Sequence, residues 1–124
     1  MTKHWDLIRP ALNALELEKI FQFRYAIYVE EMGRIQHDAS HVLKQISDKL
    51  DHGGTNIAAF SGDDVVGVVR VNFPARSCIG GYEDLYQLNK LGADHPQKTA
   101  IVTRLMIAPH LRRSTLVVRL CAAC

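Results

Sequence analysis

Apolar residues recur every three or four positions from Asn13 to Met32, which is the spacing of one face of a helix. The residues on this face are Leu17, Ile20, Phe21, Ile27 and Tyr28. Asn13 stands three residues before Glu16, as in a helix-capping pair, and Gly33 is a typical helix-ending residue. The pattern therefore predicts a long helix that ends near Met32.

The rest of the chain alternates between strand-like and helix-like segments. Runs of β-branched and alternating residues predict strands over residues 5–9, 55–60, 65–73 and 99–108, the middle two joined as a hairpin. Helical spacing predicts further helices after Ser40, over residues 82–91 and from Ser114 onward. The helix after Ser40 rests on Val42, Leu43, Ile46 and Leu50. This β-α-α-β-β-α-β-α order predicts one domain over residues 1–124, of the α/β (α+β) class, with a mostly antiparallel sheet flanked by helices.

Composition narrows the possible functions. The 124 residues carry a formal charge of only +2 and no run of basic residues, so nucleic acid is not an expected partner. No apolar run is long enough to span a membrane, and the N-terminus lacks the apolar core of a signal peptide. Three unpaired-looking cysteines favour a cytoplasmic protein, and the six histidines show no metal-binding spacing, so no metal is expected.

Arg24 interrupts the apolar face of the first predicted helix. It follows Ile20 by four residues and precedes Tyr28 by four, so it points along the face that should be buried. A buried guanidinium without an anionic partner is costly, which makes Asp48 and Asp51 its natural partners. A structural ion pair, or an arginine at the edge of the face that reaches water, also fits this pattern.

Two predicted strands contain a similar anomaly. Arg70 alternates with Val66 and Val68, and Arg104 alternates with Val102 and Met106 in the last predicted strand. With Arg24, three arginines from three predicted elements thus point toward the core. Together they favour a pocket that binds an anionic ligand or orders a set of acidic side chains.

Residues 102–120 run from a strand, across Pro109, into an apolar helix-like segment. Arg112 and Arg113 and the backbone N–H groups of Ser114 and Thr115 stand at this turn, where a phosphate can bind. This strand–turn–helix segment resembles the carrier-binding segment of the GCN5-related N-acetyltransferase (GNAT) fold. In that fold two small residues usually follow the arginine turn, at the positions of Thr115 and Val117 here.

The order of motifs resembles a narrower group. The segment from Phe23 to Met32, Asp48–Lys–Leu–Asp51, Gly67–Val–Val–Arg70 and Thr103–Arg104 are similar to motifs of the acyl-homoserine-lactone (autoinducer) synthases and the N-acyl amino acid synthases. The autoinducer synthases carry an acidic residue before the last arginine and an aromatic residue after the first helix. This chain has Ile101–Val102 and Gly33–Arg34–Ile35 at those places, so it is more similar to the N-acyl amino acid synthases.

The resemblance implies transfer of a fatty acyl group from acyl carrier protein (ACP) to the amine of an amino acid, with no permanently bound cofactor. The implied acceptor-binding residues are Arg24, Tyr28, Asp48, Asp51, Arg70 and Arg104. The implied sites for the acyl-phosphopantetheine of ACP, or for acyl-CoA, are Leu105, Ile107, Arg112, Arg113, Ser114 and Thr115. Glu30, Asp48 and Asp51 are unranked candidates for the proton acceptor.

Two other functions stay open: an acetyl-CoA-dependent acetyltransferase of small molecules, and a carrier-binding module without turnover. The resemblance also implies further strands and a helix beyond Cys124, so the sequence predicts a partial GNAT-like domain whose C-terminal part is missing. Such a domain would leave the strand of Arg104 as an exposed edge, which favours a homo-oligomer.

Overall fold

The computed structural model describes residues 5–124. It has the mixed α/β architecture expected from the sequence, with a four-stranded antiparallel sheet flanked by helices. The strands of this sheet are β1 (Leu7–Pro10), β4 (Thr55–Ser61), β5 (Asp64–Asn72) and β6 (Ile101–Ile107), in the order β1-β4-β5-β6. The helices are α1 (Ala14–Tyr25), α2 (Leu50–Gly53), α3 (Tyr82–Leu85) and α4 (Leu116–Ala123). A two-stranded hairpin, β2 (Ala39–Ser40) and β3 (Gln45–Ile46), lies between α1 and α2.

The first helix begins as predicted but changes its winding before it ends. Asn13 accepts the backbone N–H of Glu16 at 2.9 Å, which confirms the cap, while the Glu16 carboxylate binds Arg9 and the N–H of Leu12 instead of returning to Asn13. From Ala26 to Glu31 the chain forms a π-helix, a rare winding that often occurs at functional sites. Gly33 ends it with a φ of 65°.

The helix predicted after Ser40 is wrong. This segment forms the β2–β3 hairpin, and Val42 and Leu43 lie in its turn with 92% and 62% of their surface exposed. The four apolar residues at helical spacing therefore share no buried face, because only Ile46 is buried. The helix predicted over residues 82–91 is also shorter, because α3 ends at Leu85 and a 3-10 segment with a kink at Gly92 follows.

Two apolar cores cover the two faces of the sheet. On one face α1 packs Ile20 against Ala58 and Val68, and on the other α4 packs Leu116 and Leu120 against the sheet. Gly67 allows α4 to approach β5, since a Cβ at this position would lie 2.9 Å from Leu120 Cδ1. The close approach of α4 fixes the position of the turn that precedes it.

A bulge in β5 corrects the predicted alternation on this strand. Ala59 pairs with Gly67 and Phe60 pairs with Val65, which leaves Val66 as an extra residue. Val66 therefore packs in the α4 core while Val68 packs in the α1 core. Arg70 consequently shares its face with Val68, as predicted, but not with Val66.

Candidate functional site

Three arginines from three elements meet at one end of the α1 face. Arg24 comes from α1, Arg70 from β5 and Arg104 from β6, and the first two are 0% exposed. Each binds the carboxylate of Asp48, which lies between β3 and α2, or of Asp51 in α2. The burial of Arg24 and its pairing with an aspartate, both expected from its spacing, are confirmed.

Asp51 is the more buried of these two carboxylates and accepts hydrogen bonds from two arginines. Its two oxygens accept Arg24 Nη1 and Nη2 at 3.0 and 2.9 Å, and Oδ1 also accepts Arg70 Nη1 at 3.1 Å. The backbone N–H of Asp48 donates to Oδ2 at 2.8 Å. Burial alone would raise the pKa of Asp51, but the bonds and charge of Arg24 outweigh it and hold this pKa at about 2.

The carboxylate of Asp48 links β5 to β6, because it binds one arginine from each strand. Oδ1 accepts Arg70 Nη1 at 2.7 Å and Oδ2 accepts Arg104 Nη2 at 2.7 Å. Burial works to raise the pKa of Asp48, and the hydrogen bonds of Arg104 and Arg70 lower it on balance. Both aspartates therefore stay ionised at neutral pH, and a carboxylate held by two guanidinium groups is a weak base. The geometry thus favours neither of them as the proton acceptor.

Asp38 completes the network from the segment before β2. Arg104 Nη2 donates to Asp38 Oδ2 at 3.1 Å, and the Asp38 side chain is 43% exposed. With Asp38, three arginines face three aspartates, so the network as a whole is close to neutral. Within the described part of the chain, Arg70 Nη2 and Arg104 Nε are buried and have no acceptor.

A second bulge sets the position of Arg104. Val68 pairs with Met106 and Arg70 pairs with Thr103, so Arg104 and Leu105 of β6 together face one residue of β5. Arg104 has a φ of 58°, a conformation that costs a residue with a side chain about 1–2 kcal/mol. Neither bulged residue has a one-to-one partner in β5, so the regular pairing of the two strands is interrupted at Arg104 and Leu105.

Arg104 contacts residues that line two separate cavities. The larger, of about 720 Å³, is lined on one side by Asp38 and Asp48, the carboxylates that Arg104 binds. The smaller, of about 200 Å³, is lined by Tyr28 and by Leu105, the residue next to Arg104 in the bulge. The Arg104 guanidinium lies 5.9 Å from the centre of the Tyr28 ring. One arginine thus touches groups that line both cavities.

In the turn after β6, groups that were predicted to bind a phosphate instead form hydrogen bonds within the protein. Arg112 donates to Glu31 through both of its Nη atoms, and its Nε donates to the Ile107 carbonyl at 3.0 Å. The N–H of Ser114 donates to the Leu111 carbonyl at 3.1 Å. The N–H group of Ser114, which was predicted to bind a phosphate, therefore already donates a hydrogen bond within the turn.

Residues 23–122 match the family model described as Acetyltransferase (GNAT) domain. The chain belongs to the GNAT acetyltransferase family. No curated protein and no solved structure matches it significantly. The four-stranded antiparallel sheet with flanking helices and the strand–turn–helix segment from β6 to α4 are consistent with this membership. The domain is accordingly of the N-acyltransferase type.

Within this GNAT domain, most of the acceptor-binding residues predicted from the sequence lie together. The network brings together Arg24, Asp48, Asp51, Arg70 and Arg104, with Tyr28 beside it. Glu30 lies outside the network, more than half exposed, and its carboxylate is 4.0 Å from Lys44. Leu105, Ile107 and Arg112 line the smaller cavity, whereas Arg113, Ser114 and Thr115 do not.

Three residues of the network were given no role in the sequence analysis, although Thr103 belongs to the Thr103–Arg104 motif named there. Asn56 accepts Arg24 Nη2 at 2.7 Å and Thr103 accepts Arg70 Nε at 3.2 Å, so both belong to the network, as does Asp38. Asn56 could have been found from the sequence, because it is a polar residue next to the apolar run Ile57–Phe60 of the predicted strand. Asp38 could not, because it lies in an irregular segment with no periodicity.

No helix within residues 5–124 is long and apolar enough to cross a membrane. The same residues contain no group of three or more side chains placed to hold a metal ion. The cysteines Cys78, Cys121 and Cys124 are exposed and free. The cytoplasmic location and the homo-oligomer remain predictions, although β6 is an outer strand of the sheet.

Proposed function

We propose that this GNAT domain transfers a fatty acyl group from acyl carrier protein to the α-amine of an amino acid. The observation that carries the proposal is the position of Arg104, which binds carboxylates of the larger cavity and lies beside Tyr28 of the smaller one. A two-substrate transfer needs two adjacent binding spaces that meet at the reacting atoms. In this proposal the smaller cavity holds the thioester and the larger one holds the amine.

The reaction is a direct attack of the amine on the thioester carbonyl. The ammonium form of the amino acid first loses one proton to solvent, and its nitrogen then forms the C–N bond as the C–S bond breaks. A second proton moves from that nitrogen to the departing sulfur, so the products are an amide, the free carrier thiol and one released proton. The backbone N–H groups of Arg104 and Leu105 at the bulge are the candidate donors to the carbonyl oxygen.

A carrier-bound donor is favoured over CoA by the turn before α4. Thr115 and Val117 occupy the places of the two small residues, and the Ser114 N–H is bonded to Leu111. Side chains at these positions and an occupied N–H limit how closely a pyrophosphate can approach the backbone. The single phosphate of a phosphopantetheine arm demands less of the turn. In this arrangement Arg113, which makes no ion pair within residues 5–124, is the cation open to that phosphate.

The second candidate is an acetyl-CoA-dependent acetyltransferase, which the description of the matching family favours. The two are separated by offering acyl-ACP and acetyl-CoA in parallel to a panel of amino acids and small amines, with product detection by mass spectrometry. N-acyl amino acids formed from acyl-ACP support the proposal. Product from acetyl-CoA alone, or carrier binding without any product, overturns it.

The role of Arg104 is tested with Arg104→Gln, and Arg119→Gln on the exposed side of α4 is the matched control. Loss of a charge-assisted hydrogen bond, worth about 1.5–3 kcal/mol, predicts a fall in kcat/KM of about tenfold or more for Arg104→Gln only. Thermal unfolding of both variants shows whether the domain is intact. Equal kcat/KM values for the two variants would contradict a position between the substrates.

A further inference from the structure

The larger cavity has one polar side and one apolar side, and this division identifies the kind of acceptor it fits. We propose that it binds an amino acid with an apolar side chain, with the amine at Asp38, the carboxylate at Lys49 and the side chain against α3. This inference rests on the proposed function and specifies its acceptor. It also assigns a binding role to Asp38, a residue outside the motifs that the sequence offered.

The apolar wall comes from two segments that are distant in the sequence. One segment contributes Leu50 of α2 and the other contributes Ile79, Tyr82 and Leu85, and Ile79 is buried in a small core with Leu88 and Ile101. The Tyr82 ring stacks on Tyr86 with centroids 5.7 Å apart, which limits its rotation. A volume of about 720 Å³ lies within the range of small-molecule sites, and among the side chains of Leu50, Ile79, Tyr82 and Leu85 only the tyrosine hydroxyl can form a hydrogen bond.

The polar side distinguishes Asp38 from Asp48. Asp48 uses both carboxylate oxygens toward Arg70 and Arg104, and Oδ1 also accepts the N–H of Leu50. Asp38 uses only Oδ2, toward Arg104, and its side chain is partly exposed to the cavity that it lines. Asp38 is therefore the carboxylate with an oxygen available for a substrate ammonium.

Lys49 supplies the opposite charge beside these carboxylates. It lines the same cavity, is exposed, and forms no ion pair with any residue of the described range 5–124. A zwitterionic amino acid carries its ammonium and its carboxylate on the same carbon atom, and the cavity lining offers one group of opposite charge for each, Asp38 and Lys49. Because Arg104 also touches Asp38, an amine held there lies on the side of the cavity nearest the bulge in β6. An acidic or strongly polar side chain would lose its hydration against the apolar wall, so such amino acids are disfavoured.

The first test concerns Asp38. Asp38→Asn removes the charge that holds the ammonium and predicts a rise of about tenfold or more in the KM for the amino acid, with an unchanged KM for acyl-ACP. Asp84→Asn on the exposed side of α3 is the control and should change neither value. A fall in melting temperature with both KM values raised equally would show that Asp38 only supports the network, and would overturn its assignment.

The second test concerns the wall and does not depend on turnover. Titration calorimetry with L-leucine, L-phenylalanine and L-aspartate should detect binding of the first two only, and Leu85→Ala should weaken it about tenfold. Leu91→Ala, which alters an exposed leucine outside the cavity, should not. Binding without any acylated product would leave this inference standing and overturn the proposed reaction. Acylation of aspartate as readily as of leucine would overturn the inference and leave the reaction standing.

Discussion

Replacing Asp51 by asparagine is the most direct test of how the arginine network is held together. The substitution keeps the size of the side chain and one acceptor oxygen but removes the negative charge. Arg24, which is 0% exposed, then lies next to a neutral amide, and Arg70 loses one of its two carboxylate partners. The network changes from nearly neutral to carrying one excess buried positive charge.

Two estimates bound the effect on stability. The pKa of Asp51 falls from 3.8 to about 2, and a shift of this size corresponds to about 2 kcal/mol of folding free energy at neutral pH. Breaking a buried ion pair by removing one partner costs about 3–5 kcal/mol, because the remaining charge stays buried. Since the asparagine oxygen still accepts a bond from Arg24, the lower end of this range applies. We expect Asp51→Asn to lower the free energy of unfolding by about 3 kcal/mol.

The measurement is urea unfolding at pH 7, followed by circular dichroism and by the fluorescence of Trp5, the one tryptophan in the sequence. Asp84→Asn, an exposed aspartate of α3, is the control and should stay within about 0.5 kcal/mol of the wild type. A difference below about 1 kcal/mol between Asp51→Asn and the wild type would refute the view that this carboxylate neutralises the buried arginines.

The difference in stability between the wild type and Asp51→Asn should also depend on pH. The pKa of Asp51 is lower in the folded state, so the unfolded chain binds the proton first as the pH falls. The stabilisation is therefore complete above about pH 5 and is lost between about pH 4 and pH 2. The wild type should lose its advantage over Asp51→Asn in that window. An advantage that stays constant down to about pH 2 would assign the difference to packing instead.

Two further substitutions test other parts of the fold. Gly67→Ala places a Cβ 2.9 Å from Leu120 Cδ1, so we expect urea unfolding to show a loss of about 1–3 kcal/mol, whereas Gly81→Ala, with open space around it, should show none. An unchanged stability for Gly67→Ala would mean that α4 moves freely. Glu31→Gln removes a surface partner of Arg112 and should leave the urea unfolding curve nearly unchanged while lowering the KM for acyl-ACP, because Arg112 is then free to join Arg113 at the phosphate. A raised KM in a kinetic assay would contradict this.

The sequence by itself determined the parts of this protein that depend on local periodicity. The spacing of apolar residues located α1 and predicted that Arg24 within it is buried. Alternating residues flanking a turn located the β4–β5 hairpin. These features are decided by neighbours within one turn of helix or one strand pair, so the pattern alone contains the information. The antiparallel sheet with flanking helices followed from the order of the elements.

Only the tertiary structure decided how these elements meet. The segment around Val42 had helical spacing, yet it forms a hairpin because the long-range packing of Ile46 against α1 outweighs local propensity. The bulges in β5 and β6 each add one residue to a strand. The first placed Val66 in the other core, and the second gave Arg104 its left-handed backbone conformation. Asp38 lies 66 residues before the arginine that it binds, so no local pattern links them. The identities of the charged residues were readable from the sequence, but their mutual distances were set by strand register and bulges, which depend on contacts between distant parts of the chain.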